Sequence, residues 1–185
     1  VIRMDYTKML RATLDRHGLT NVHIISDDLV TNWSIADRAT KDPELDKAIY
    51  AFGTHYPGHL STENARRTGK PLWSSEDGPW SGTWNEGAKL LAKMINRNYI
   101  LGRMTKTITW SPVTSYYDNL PIPGSGLMRA NEPWSGHYEV QPAVWAVAHT
   151  TQFTEPGWIY VDSGCGIMES YGSYVTLKKP DESGH

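Results

Sequence analysis

Apolar and polar positions along the chain follow two alternating periods. From Asp5 to His17, Tyr6, Met9, Leu10 and Leu14 recur at helical spacing, and Gly18 supplies a left-handed stop. The run Val22 to Ser26 then reads as a short strand that ends on Asp27 and Asp28. A helix is expected to start at Asp42-Pro43, where proline suits the first turn, and the apolar run Ile49 to Gly53 leads into a strand closed by His55 and Tyr56. Ser61 to Thr68 reads as a capped helix stopped by Gly69, followed by the strand Leu72 to Ser75. From Thr83 to Leu101 the residues Ala88, Leu91, Ala92, Ile95 and Tyr99 form one stripe of a long helix, with Thr83 and Glu86 as its capping box. Met104 to Trp110 reads as a further strand.

Strands separated by helices are the rhythm of parallel βα units, and a parallel sheet needs cover on both faces. Left alone, the strands just described would expose raw edges, so the pattern predicts an α/β fold that is half of a closed barrel. After it come a long loop rich in Pro, Gly and aromatics, Ser111 to His137, and an apolar helix, Val140 to Gln152. Past Glu155-Pro156-Gly157 the period changes. Trp158 to Val161 and Tyr171 to Leu177 alternate like antiparallel strands, so residues 1–154 are expected to form one domain and 155–185 the beginning of another.

Composition narrows the chemistry. The chain has 185 residues, 39% hydrophobic and 21% charged, which is ordinary for a globular protein. A net charge of −2 and a pI near 6.4 provide no basic surface for nucleic acid. No apolar stretch is long enough to cross a bilayer, no leader stands at the start, and a chain that begins at Val1 points to a processed product or a fragment. The single Cys165 closes no internal disulfide, and no zinc-ligand spacing or cofactor motif is present. Asn32-Trp33-Ser34 is a glycosylation sequon and lends slight support to a secretory route. The aromatic set is unusual: 8 Trp and 10 Tyr against 2 Phe. Flat rings with polar edges suit sugars, which makes carbohydrate the leading ligand class, although any one of these rings serves equally well as core filling.

The residue to explain is Glu76. It follows the strand in KPLWSSED, at the mouth where a parallel barrel places its chemistry. Ser74 and Ser75 are candidate donors to it, and strict alternation lets only one of them share its side. His55 and Tyr56 occupy the corresponding end of the preceding strand, as supports for Glu76 or a sugar hydroxyl. Asp27 and Asp28 end an earlier strand, where they either join a site or cap the next helix. Trp110 is placed to wall a sugar subsite, and Trp134, His137 and Tyr138 either shape the rim or merely cover the barrel end. Two other classes compete. One is a noncatalytic carbohydrate binder stacking sugars on Trp80, Trp84, Trp110 and Trp134. The other is a metal hydrolase using His55, His59 and nearby Asp residues, for which helical HxxxH spacing is missing.

Several strings together resemble glycoside hydrolase family 59, the galactocerebrosidase family. They are HYPG at His55 to Gly58, LWSSED at Leu72 to Asp77, EPWSGHY at Glu132 to Tyr138, AHTTQFTEPGW at Ala148 to Trp158, and GSYV at Gly172 to Val175. The resemblance implies a lysosomal or secreted retaining β-galactosidase acting on galactosylceramide and related lipids, with a saposin-type lipid-presenting partner. It implies a TIM (β/α)8 barrel with a β-sandwich and a lectin-like domain, the strands here being the C-terminal half of the barrel. Glu76 matches the family nucleophile, and Trp110 an aromatic that lines the galactose site. The family's acid/base, the Glu of an Asn-Glu pair after an earlier strand, would lie ahead of Val1. Asn85-Glu86 reads instead as a helix cap, so the isolated segment is expected to be inactive. GPWSGTW after Asp77 departs from the animal members, which leaves the aglycone open.

Overall fold

The computed structural model describes residues 2–117, 119–120 and 124–181. They belong to two compact units, Val1–Glu76 with Leu101–Ile108, and Asp77–Ile100 with Thr109–His185.

The first unit contains α1 (Ile2–Arg16), β1 (Ile25–Val30), α2 (Ser34–Ala39), α3 (Pro43–Ala48), β2 (Ala51–His55), α4 (Glu63–Arg67), β3 (Leu72–Asp77) and β4 (Met104–Thr109). The strands form one sheet in the order β1-β2-β3-β4, with β1/β2 and β2/β3 parallel. The core is the sheet's Phe52, Leu72 and Met104 packed with Trp33, Ile35, Ala36 and Ala39 of the α2 region, Leu45, Ile49 and Ala65. The caps are the expected ones. Asp42 accepts from the Leu45 amide at 3.1 Å with Pro43 behind it, and Thr62 accepts from the Ala65 amide at 3.2 Å.

Other elements differ from the sequence reading. β1 begins three residues later than the expected Val22 and carries Asp27 and Asp28 inside it rather than beyond its end. The Arg11 guanidinium holds the carbonyls of Leu19 at 3.0 Å and Val22 at 2.6 Å, so this stretch is tied to α1 and not to a ladder. α2 is an unforeseen helix. Its first amide, Ser34 N, is met by the Asn32 side chain at 2.8 Å, and Trp33 and Ile35 are pulled into the core. β3 runs two residues further than Ser75 and so contains Glu76.

In the second unit the expected helix from Thr83 is split into a π-helical turn, Trp84–Ala88, and α5 (Lys89–Gly102). Thr83 Oγ1 accepts from the Glu86 amide at 3.1 Å, which keeps the cap as read. A Cβ on Gly87 would stand 1.9 Å from the Ser81 carbonyl oxygen, so that turn needs glycine. Of the expected stripe, Ala88, Leu91 and Tyr99 are buried while Ala92 is exposed. Buried Asn98 donates to the buried Asp77 carboxylate at 3.1 Å.

The segment expected as loop, Ser111 to His137, contains β5 (Val113–Ser115) and β6 (Met128–Ala130), which join β7 (Glu139–Val140) in a three-stranded sheet. Strands this short are below the length at which alternation can be read. After α6 (Pro142–Thr151), β8 (Ile159–Tyr160) pairs antiparallel with β11 (Leu177–Lys178), and β9 (Gly166–Ile167) with β10 (Ser173–Tyr174). The Tyr160 ring stacks on Tyr99 at 3.7 Å, the Tyr99 hydroxyl donates to Asp162 at 2.5 Å, and Asn96 donates to the Ser173 carbonyl at 3.0 Å.

Candidate active site

The C-terminal ends of β1, β2 and β3 bring four predicted residues together: Asp28, His55, Tyr56 and Glu76, with Ser75 beside them. The Tyr56 hydroxyl donates to Glu76 Oε1, and His55 Nδ1 lies 3.4 Å from Glu76 Oε2. The other ring nitrogen, His55 Nε2, is 3.1 Å from Asp28 Oδ1, and the Ser75 hydroxyl donates to that same oxygen at 2.6 Å. The main chain fixes the group as well, since the Tyr56 amide donates to the Glu76 carbonyl at 2.9 Å. Side chains of His55 and Glu76 are each 22% accessible, so the carboxylate is sheltered yet reachable.

Two register shifts create this arrangement. Between β1 and β2 the pairing steps from Asp27↔Gly53 to Leu29↔Thr54, leaving Asp28 as an extra residue. Between β2 and β3 it steps from Thr54↔Ser74 to His55↔Glu76, leaving Ser75 as an extra residue. A regular strand turns successive side chains to opposite faces, but Ser75 and Glu76 both reach the same cluster. The alternation argument therefore fails here. Ser74 is fully buried and the hydroxyl of Ser75 goes to Asp28, while the Glu76 carboxylate accepts from Tyr56 and is faced by the His55 ring. Asp28 and Tyr56 adopt left-handed backbone angles, φ 61° and 49°, a costly conformation that clusters at functional sites.

Asp28 belongs to this cluster and not to a helix cap, the alternative left open by the sequence; α2 has no side-chain cap at Trp33. Nothing in the residue string marks the two bulges. Trp110 directly follows β4 and is 41% exposed, and its amide donates to the Asp77 carbonyl at 2.8 Å. Trp134 is 78% exposed in a 3-10 turn, Pro133–Ser135, with His137 and Tyr138 exposed after it. Among the described residues no group of three His, Cys, Asp or Glu is placed to hold a metal ion, and no helix is long and apolar enough to cross a membrane.

Relatives place the site in context. The chain is 48% identical over 174 residues to galactocerebrosidase of Danio rerio, covering 93% of this chain and 26% of that protein. It is 49% identical over 175 residues to galactocerebrosidase of Homo sapiens, covering 94% and 25%, and 27% identical over 181 residues to a putative galactocerebrosidase of Caenorhabditis elegans, covering 97% and 27%. The chain thus spans about a quarter of the length of the relatives it matches. Its fold is similar to the catalytic domain of a family 30 xylanase C from Talaromyces cellulolyticus, with a TM-score of 0.63 at 16% identity over 97% of this chain and 39% of that one. A family 30 subfamily 8 xylanase from Clostridium acetobutylicum gives 0.62 at 22% identity, over 93% and 41%. These are (β/α)8 catalytic domains, and the likeness shows an α/β fold with a parallel sheet of their kind. The model of glycosyl hydrolase family 59 matches residues 2–152, most of the chain, and the string LWSSED with its carboxylate lies inside that match. The chain belongs to glycosyl hydrolase family 59.

Proposed function

We propose that this chain carries the nucleophile of a retaining β-galactosidase that cleaves the galactosyl bond of galactosylceramide and related galactolipids. The observation that carries the reading is the hold on Glu76. Tyr56 and His55 serve one carboxylate oxygen each, at the C-terminal end of a parallel strand in a family 59 chain. A carboxylate steadied at both oxygens is fixed in direction and keeps lone pairs for attack. Close identity to galactocerebrosidases supports galactose as the sugar and a sphingolipid as the aglycone.

In this reading a Glu76 oxygen bonds to the anomeric carbon as the glycosidic C–O bond breaks. The departing lipid oxygen takes a proton from a second carboxyl group, roughly 5 to 5.5 Å from the nucleophile in retaining enzymes. That second carboxylate then takes a proton from water, whose oxygen displaces Glu76 and frees galactose. Family resemblance assigns the second group to an Asn-Glu pair on an earlier strand of a complete barrel. Asn85-Glu86 reads as the capped start of the following helix and not as that pair. Trp110 walls the sugar by the same resemblance, with Trp134 as a rim residue. Residues 155–185 begin a β-sandwich domain, the enzyme works in the lysosome or outside the cell, and a saposin-type protein presents its lipid. Loss of general-acid help would lower the rate of the isolated segment roughly 10²- to 10⁴-fold.

The test is covalent trapping. The full-length protein, treated with an activated 2-deoxy-2-fluorogalactoside and digested, is expected to carry the sugar on the peptide containing Glu76. A sugar recovered on another peptide rejects the assignment.

A further inference from the structure

We propose that Asp28 is a positioning residue for the nucleophile, acting through His55 and anchored by Ser75. The inference rests on Glu76 being the nucleophile and adds to it a residue that touches neither sugar nor Glu76. Three observations carry it. The extra residues of the two register shifts, Asp28 on one side of β2 and Ser75 on the other, are bonded to each other at 2.6 Å. That bond bridges over β2, where Gly53 offers no side chain: a Cβ there would lie 2.9 Å from Ser75 Cβ and Oγ and 3.2 Å from Ile25 Cγ2. The same Asp28 oxygen that accepts from Ser75 faces His55 Nε2 at 3.1 Å.

The consequence for His55 is geometric. A neutral imidazole has one N–H, yet this ring has a carboxylate oxygen opposite each nitrogen, Asp28 at Nε2 and Glu76 at Nδ1. Asp28 and Glu76 therefore bracket the ring, one at each nitrogen. The charged groups facing the ring are Asp28 from β1 and Glu76 from β3, and the Tyr56 ring meets it edge-on at 5.6 Å. Asp28 fixes the far side of the ring, so the near nitrogen stays aimed at Glu76 Oε2. The register shifts and the left-handed φ of Asp28 re-aim its side chain for this purpose.

The experiment is a double-mutant cycle in the full-length protein. Asp28→Asn keeps the shape and tolerates the left-handed backbone. It is expected to lower kcat about 10- to 100-fold with KM within about twofold, as a misaimed catalytic group does. In a His55→Gln background the same change should have no further effect, because the route through the ring is already cut. Ser75→Ala should give a smaller loss that vanishes in the same background, and it reads the relay if Asp28→Asn fails to fold. Losses that multiply in the His55→Gln background, or an unchanged kcat in both Asp28→Asn and Ser75→Ala, overturn the proposal. Fluorogalactoside labelling of the wild-type protein separates the two levels. With the sugar on Glu76 and a multiplicative cycle, the relay alone falls, whereas a sugar elsewhere removes the nucleophile reading and the relay with it.

Discussion

At the scale of single residues, the site was half legible in the chain. Glu76, His55 and Tyr56 stand out because ionisable and hydroxyl groups follow apolar runs, and the fold brings them together. The membership of Asp28 and the true partner of Ser75 were not legible, because each depends on one residue slipping out of register. Gly53 is the residue on which this depends most directly. Gly53→Ala would force its methyl into Ser75 and Ile25, at a cost of about 1 to 3 kcal/mol if the strands do not yield. Chemical denaturation of the two proteins measures that cost, and a loss below a few tenths of a kcal/mol would show that β2 shifts freely.

Among the elements, those marked by caps and punctuation were read correctly. α3 and α4 are capped by Asp42 and Thr62, and β2 and β3 open on the apolar pairs Ala51-Phe52 and Leu72-Trp73, the second directly after Pro71. β1 was misplaced and α2 missed because a distant guanidinium and the core contacts of Trp33 and Ile35 decide them. The α3 cap also carries a pH signature. The Lys8 ammonium, bonded to Asp42 at 2.5 Å, is the main reason that the Asp42 carboxyl is held below its ordinary 3.8, with the Leu45 amide next. A lowered folded-state value gives stability that is present above 3.8 and is lost as pH falls through the lower folded value. Lys8, raised above 10.5 chiefly by the same bond, contributes stability that is lost only as pH rises past that point. Melting temperatures taken from pH 5 downward should therefore fall less steeply in Asp42→Asn than in the parent. Equal slopes would mean that the pair adds nothing across this range.

For the molecule as a whole, the βα rhythm gave the class, an α/β chain with a parallel sheet, and the close of the chain gave short antiparallel pairs. Within the second unit, Tyr160 of β8 is tied to α5 by its stacking on Tyr99. Burial chiefly, and the nearby Cys165 secondarily, raise the Tyr160 phenol above its ordinary 10.0. A phenol that ionises more readily unfolded than folded leaves stability intact below pH 10 and erodes it as pH rises above. Unfolding curves between pH 9 and 11 should thus lose less stability in Tyr160→Phe than in the parent, with tyrosinate absorbance reporting the ionisation. A parent with no such loss would contradict the burial of that ring.

The order of residues alone settles the alternation of strands and helices, the capped helix starts, and the carboxylate at the end of an apolar strand, because these depend on neighbours a few residues apart. Which face that carboxylate uses, and what holds it, are set only in the folded chain. Both result from the slip of one residue on each side of β2 and from the gap left by Gly53, and pairing energy between separate strands sets such slips without leaving a mark in any one of them.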